Sequence, residues 1–455
     1  MLIKNLAIDS GIVEINGWVL TIRNQKDYSF IKLNDGSNTE GLQLVIYNSK
    51  IIDKIINTGT SLNVKGLIVK SPALGQDFEL ICEEIKILGE SNPTFYPLSK
   101  GKLPLTYLRN YPHLRSRTNT FSSVFRIKSN INFATNLFFH KRNYLHLDPN
   151  IMTVNECEGG AGVFQVTEND LSNLSILPRK EKTELYDWEK DHFNKPVFLT
   201  VSSQLQLEAI SCCLGAVYTT NKSFRSEHSN TIKHLSEFTH LEIENTFIDL
   251  NYLMDISEEY IKFIGTYLLE NSIDDIKSLD NFVSKGIIDR INNLLSKKFI
   301  CLDYDEAIKL ILKESKIIIK YGDDLSSEAE NFLTEFYDNT PVFVKNWPIS
   351  IKSFYMKLND DKITCANFDL LMPYKVGELI GGSMREDDLN KLLEMMKNKN
   401  VNPEPLDFYL DLRKYGTVPH GGFGLGLDRM CMLFSGIENI KDVVPFPVYY
   451  KNCSC

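Results

Sequence analysis

No two of the nine cysteines stand in C-x-x-C spacing, the usual signature of a structural zinc or a redox dithiol. Cys212 and Cys213 are adjacent, Cys453 and Cys455 close the chain, and the rest are scattered. That distribution reads as reduced thiols. No apolar run approaches the roughly 18–20 residues that a membrane-spanning helix requires. Positive charge is not in excess either: 50 Lys and Arg against 59 Asp and Glu give a formal net charge of −9. A general nucleic-acid coat protein is usually basic, so contact with nucleic acid must come from local patches. The opening stretch, "MLIKNLAIDSGIVEINGWV", has neither the apolar core of a secretory leader nor the Arg-rich pattern of an organellar one. A cytoplasmic location is the expectation, with an organellar form whose leader has been removed as the alternative.

What is present suits a chain of two or three globular domains: 455 residues, 43% of them hydrophobic. Residues 1–89 hold five short strand-like runs, "GIVEINGWVL", "YSFIKLNDGS", "LQLVIYN", "TSLNVKGLIVK" and "FELICEEIKIL", separated by turn residues. Five such strands fit a small closed barrel of the OB type, a common nucleic-acid binder, with a generic β domain as the alternative. Residues 90–112, with Pro93, Pro97, Pro104 and Pro112, read as a linker. From 113 to 455 a second domain is expected. It opens on a long amphipathic helix at 119–142, whose Phe121, Val124, Ile127, Ile131, Ala134 and Phe138 recur at three- and four-residue steps. Residues 255–315 resemble a helical insertion, strands return beyond 341, and a helix follows near 386–398. Strands separated by long irregular stretches predict an α+β domain with a mostly antiparallel sheet flanked by helices.

Two stretches carry chemistry. In "GGFGLGLDRM" (421–430), Gly422, Gly424 and Gly426 alternate with Phe423, Leu425 and Leu427. A dinucleotide turn needs G-x-G-x-x-G between a strand and a helix. Strict alternation is instead a strand pattern, and glycine on one strand face marks a close approach by something flat. In "FRSEHSNTIKHLSEFTHLEIE" (224–244), Arg225 and Glu227 are expected on one strand face. A polar loop with Lys233 and His234 follows, and Phe238 resumes the strand. Read alone, this is an exposed hairpin. Set beside the glycine strand, Arg225, Arg429 and a loop histidine can clamp the phosphates of one nucleotide. Phe238 can then stack on the base while Arg429 caps its other face.

At these residues the chain resembles the class II aminoacyl-tRNA synthetases. "FRSE…HLSEF" is similar to their motif 2, "GGFGLGLDR" to motif 3, and the long helix leading to Pro149 to motif 1, which in that class builds the dimer interface. "FLTVSSQLQLEA", "VGELIGGSMRE", "YLDLRKYGTVPHGGFGLGLDR" and "DVVPFP" resemble the asparaginyl members of the aspartyl/asparaginyl/lysyl subgroup, and "DWEKDHFNKPVFLTVS" their bacterial and organellar type. The resemblance implies activation of L-asparagine by ATP and its transfer to tRNA(Asn), by a homodimer formed through the motif 1 helix and strand. It places Arg225 on the α-phosphate and the amino-acid carboxylate, and Glu227 on the adenine amino group. Lys233, His234 and Arg429 fall on the γ-phosphate, Phe238 and Arg429 around the adenine, and Gly426 on the floor beneath. Asp369 and Glu378 match the acids that bind Mg2+, which prefers carboxylates combined with substrate phosphates. Between them "MPYKV" is two residues longer than the pattern, which bears on Asp369.

Arg385 matches the arginine that holds the side-chain carbonyl. Leu207 stands where the aspartyl enzymes carry a lysine, and the following Glu208 is expected to accept from the amide, or else to point away toward a helix N-terminus. Glu158, Ser202 and Gln204 match groups around the α-amino nitrogen, and Gly159–Gly162 suits a loop that closes over substrate. In the barrel, Arg23, Phe30 and Gln43 match readers of the middle anticodon base, although Phe30 could equally fill the barrel core. Asp428, His228 and Val448 depart from the family pattern and bear on contacts with the tRNA end. Two other readings are an aspartyl enzyme, disfavoured by Leu207, and a non-tRNA asparagine synthetase of the same catalytic fold, disfavoured by residues 1–89. A catalytically silent nucleic-acid-binding relative is the third.

Overall fold

The computed structural model describes residues 1–47, 56–73, 75–98, 103–155 and 162–454. By contacts the chain falls into two compact units. One comprises Met1–Ile127, Ser272–Ile287 and Asp442–Phe446, and the other Lys128–Asn271, Ile288–Lys441 and Pro447–Cys455.

The first unit is built on a closed five-stranded barrel. Its strands run, in order around the barrel, Ile12–Asn24, Tyr28–Asn34, Leu42–Tyr47, Phe78–Gly89 and Ser61–Lys70. Alternation decides which residues fill it: Ser29, Ile31 and Leu33 point inward, while Tyr28, Phe30 and Lys32 between them stay half-exposed. Phe30 is therefore on the outer face and not in the core. The stretch read as a linker is tied down: Leu98, Leu108 and Phe121 form a small cluster, and Arg109 and Arg115 both reach Asp442.

The second unit centres on an eight-stranded mixed sheet. Its order is Ile300–Asp303, Val342–Lys345, Asn367–Met372, Gly377–Met384, His420–Gly426, Glu237–Thr246, Val217–Phe224 and Leu145–His146. Only the outermost pair at each end is parallel; the six central strands are antiparallel. The helix Asn119–Lys141 buries Phe121, Val124, Ile127, Ile131, Ala134 and Phe138 completely, the six positions its periodicity singled out. Residues 255–315 are mostly helical. Leu250–Asn271 buries Tyr260, Ile261 and Ile264, and Ile300–Asp303 forms an edge strand of the main sheet.

Candidate active site

The central strands set two rows of residues across one face of the sheet. Asp369 pairs with Gly381, Gly381 with Gly424, and Gly424 with Glu242. Two residues along, Asn367, Ser383, Gly422 and Glu244 pair in the same sequence. Cross-strand partners project to the same side, so the face is a glycine floor with carboxylates at its margins. Each glycine has a local reason. A Cβ at Gly422 would collide with the Ile243 carbonyl, and one at Gly424 would lie 2.6 Å from His240 Nε2. Gly426 is open, with only Arg429 carbons at 3.9 Å or more. Gly424 and Gly426 line a cavity, whereas Gly422 is sealed beneath Glu244.

Two adjoining cavities stand on this floor. The first, about 170 Å3, is lined by Arg225, Glu227, Lys233, His234, Phe238 and Arg429, among others. The strand expected to carry Arg225 and Glu227 ends at Phe224. The Arg225 N–H still reaches Ser236 O at 3.0 Å, but the Ser226 N–H turns away to Gly162 O at 2.8 Å, so Glu227 belongs to the loop. There His234 Nδ1 meets Thr231 Oγ1 at 2.5 Å, and its Nε2 lies 3.7 Å from Glu227 Oε2. Burial, reinforced by Arg429, Arg225 and Lys233, holds the His234 pKa below its ordinary value against the pull of Glu227. Phe238 lies against the Arg225 guanidinium, 5.6 Å away.

The second cavity, about 280 Å3, is lined by Ser202, Gln204, Glu242, Glu244, Lys352, Tyr355, Asp369 and Arg385. Arg225, His240, Glu378, Gly381 and Gly424 line both cavities and so mark their junction. Arg385 forks onto Glu244, with Nε 3.2 Å from Oε2 and a second bond to Oε1, and its third nitrogen donates to Ser383 Oγ at 2.6 Å. Ser202 donates to Glu242, which also accepts from the Ser203 N–H.

Glu208 is placed differently from the expectation that it touches an amide. It is fully buried behind Arg385 and lines neither cavity. One oxygen accepts from Gln204 Nε2 at 2.9 Å, and the other lies 3.1 Å from Arg413 and 3.2 Å from His420. Burial alone would raise its pKa, but the His420 bond and the Arg413 and Arg385 charges hold it well below the usual range. Its neighbour Glu244 moves the other way. Burial and the charges of Glu208 and Glu242 push it up, against the pull of Arg385.

Asp369 and Glu378 converge despite the longer connection between them. Tyr374 and Lys375 both take positive φ in a tight turn, and a one-residue irregularity after Leu370 restores the register. A Cβ at Gly381 would lie 3.2 Å from Glu378 Oε1 and 3.7 Å from Asp369 Oδ1, so glycine there lets the two acids face one space. Lys352 Nζ donates to Asp369 at 2.6 Å. Among the described residues no group of three or more His, Cys, Asp or Glu could hold a metal alone. Two acids beside a cavity lined with Arg225, Lys233 and Arg429 fit an ion that completes its shell with other oxygen ligands and water.

Glu158 lies outside the described residues. Arg23, Phe30 and Gln43 sit on the barrel in the other unit, with Arg23 opposite Phe30 and Gln43 opposite Lys32 on adjoining strands. Phe30 packs edge-on to Tyr28 at 5.0 Å. The sequence reading missed His240, Glu242 and Glu244. Their spacing carried the signal, since they recur every second residue along "HLEIE" with Leu241 and Ile243 between.

Comparison with known proteins agrees over nearly the whole chain. Residues 105–449 match the family described as tRNA synthetases class II (D, K and N), and residues 13–88 the OB-fold nucleic acid binding domain. The chain is 41% identical to an asparagine–tRNA ligase of Azobacteroides pseudotrichonymphae, covering 96% of this chain and 95% of that one. It is 39% identical to the Vibrio vulnificus asparagine–tRNA ligase, covering 99% and 97%. Among solved structures it resembles asparaginyl-tRNA synthetase from Pyrococcus horikoshii complexed with asparaginyl-adenylate. The TM-score is 0.88 at 28% identity, covering 100% of this chain and 99% of that one.

Proposed function

The chain belongs to the class II tRNA synthetases, among the asparagine–tRNA ligases, and from that premise we propose how its residues activate L-asparagine with ATP and charge tRNA(Asn). The observation that carries the reading is Arg225, which lines both cavities where they meet. ATP occupies the cavity of Phe238 and Arg429, with the adenine between those side chains, its amino group on Glu227, and Gly426 beneath. Lys233, His234 and Arg429 take the outer phosphates. Asparagine occupies the other cavity. There Arg385 donates to the amide oxygen, Glu244 accepts from the amide nitrogen, and Ser202, Gln204 and Glu242 surround the α-amino group. A carboxamide presents one acceptor and one donor, which an Arg–Glu pair complements. Glu208 holds Arg385 from behind.

In that arrangement the asparagine carboxylate attacks the α-phosphorus in line, the bond to the β-phosphate oxygen breaks, and pyrophosphate leaves. Arg225 neutralises charge at both reacting groups, and no side chain needs to become covalently attached. Asp369 and Glu378 would hold Mg2+, which supplies further neutralisation of the phosphates. The terminal adenosine hydroxyl of the tRNA then attacks the adenylate's carbonyl carbon and AMP departs. Arg23, Phe30 and Gln43 offer the anticodon a stacking and hydrogen-bonding face. A homodimer through the motif 1 helix and strand is part of the same reading; just past that strand, Ile151, Met152, Phe193 and Phe408 line a largely apolar hollow of about 720 Å3 beside Pro149. The reduced-thiol pattern and the bacterial relatives support a cytoplasmic setting.

The test is charging of a tRNA(Asn) transcript with labelled asparagine, together with the same transcript carrying a changed middle anticodon base. Charging of the first and a large loss with the second is the expected result. Absence of charging with active, folded protein would refute the reading.

A further inference from the structure

One buried carboxylate beside the nucleotide cavity has no part in the chemistry above. Glu330, in the first turns of the helix Ser327–Phe336, points at the start of the strand Gly377–Met384 and lines neither cavity. Its Oε2 lies 3.8 Å from Lys233 Nζ, with only 13% and 14% of the two side chains exposed. Burial, with Glu378 beside it, pushes the Glu330 pKa up to about 7, against the pull of Lys233, Arg429 and the nearby Glu378 backbone N–H. The carbonyl of Glu378 accepts from Arg429 NH1 at 2.7 Å. The Glu378 backbone thus lies between the Glu330 carboxyl group on its amide side and the Arg429 guanidinium at its oxygen. Gly377 makes this possible. It takes φ +74, and a Cβ there would strike Glu330 Oε2 and come within 2.6 Å of Lys233 Nζ. Lys233, Glu378 and Arg429 all line the nucleotide cavity.

We infer that Glu330 is a positioning residue for adenylate formation, one carboxylate that fixes both the Lys233 ammonium and the Glu378 backbone at the outer-phosphate end of the site. The inference rests on the proposed reaction and adds a residue to it. The two contacts differ in kind: Lys233 needs the charge, whereas the Glu378 amide needs only an acceptor.

Glu330→Gln and Glu330→Ala separate them in asparagine-dependent ATP–pyrophosphate exchange, measured against ATP, Mg2+ and asparagine. The Gln variant keeps an acceptor. Its kcat stays within about twofold of the parent while KM for ATP rises severalfold, as expected for loss of a contact made throughout binding. The Ala variant loses the acceptor as well. Its kcat falls by about tenfold or more and its half-maximal Mg2+ concentration rises, because small misplacements of a reacting group are costly. KM for asparagine is unchanged in both. Identical behaviour of the two variants, parental kinetics in the Ala variant, or a fall in KM for ATP in the Gln variant would overturn the inference. So would parallel rises in both KM values. An inactive parent would sink the proposed reaction instead, and thermal melting of each variant separates misfolding from mispositioning.

Discussion

Replacing Glu208 by Gln tests the buried charge arrangement behind the cavity lined by Arg385 and Glu244. The carboxylate is fully buried and its oxygens meet Gln204, Arg413 and His420 at 2.9–3.2 Å, with Arg385 Nε at 3.7 Å. Gln keeps the shape but leaves Arg413 without its carboxylate and shifts Arg385 further onto Glu244. Removing one partner from a buried ion pair costs about 3–5 kcal/mol. The pH dependence has a definite sign. Glu208 titrates lower in the folded protein than its ordinary value of about 4.3. Its contribution is therefore complete above that value and is lost as pH falls through the folded pKa. The variant should unfold at clearly lower urea than the parent from about pH 8 down to 5, with the gap closing in more acid solution. KM for asparagine should rise by about tenfold through a displaced Arg385, with KM for ATP unchanged. Equal unfolding midpoints at neutral pH, or a gap that widens in acid, would refute the reasoning.

Three further outcomes follow from the geometry. Gly424→Ala places a methyl 2.6 Å from His240 Nε2, at the junction of the two cavities. It should depress pyrophosphate exchange while leaving the melting temperature nearly unchanged, whereas Gly422→Ala, blocked by backbone, should lower the melting temperature itself. Burial holds His234 below its ordinary pKa. Polyphosphate favours its protonated form, so KM for ATP should fall as pH drops from 8 toward 5.5, a slope that His234→Gln should reduce; an equally steep variant would count against the assignment. Phe30→Ala removes a stacking surface worth about 1–3 kcal/mol per base. It should raise KM for tRNA by roughly fivefold to 150-fold without touching pyrophosphate exchange.

Local periodicity made much of this legible. The Phe121–Phe138 stripe and the five barrel strands are decided by spacings of 3.6 and 2, and those patterns survive folding unchanged. What depends on distant residues was not legible. The strand ends at Phe224 because the Ser226 N–H finds Gly162, and no local pattern announces that partner. Glu208 lies behind Arg385 because Arg413 and His420, about 200 residues later, supply its charge partners. The Glu242 and Glu244 row was visible in the alternation of "HLEIE", yet its meaning depends on Gly424 and Gly422 standing opposite. The longer "MPYKV" connection between Asp369 and Glu378 gives no local sign of how its turn is made. Two positive-φ residues absorb the extra length and leave the acid beside Glu378.

The two joined cavities are proposed to take ATP and asparagine, with selection made by Arg385 and Glu244. Amino-acid-dependent ATP–pyrophosphate exchange, with asparagine, aspartate and lysine run in parallel, tests it most directly. Exchange with asparagine alone is the predicted result, together with its loss in Arg385→Met while the fold persists. Exchange supported equally by aspartate, or unaffected by the loss of Arg385, would contradict the account.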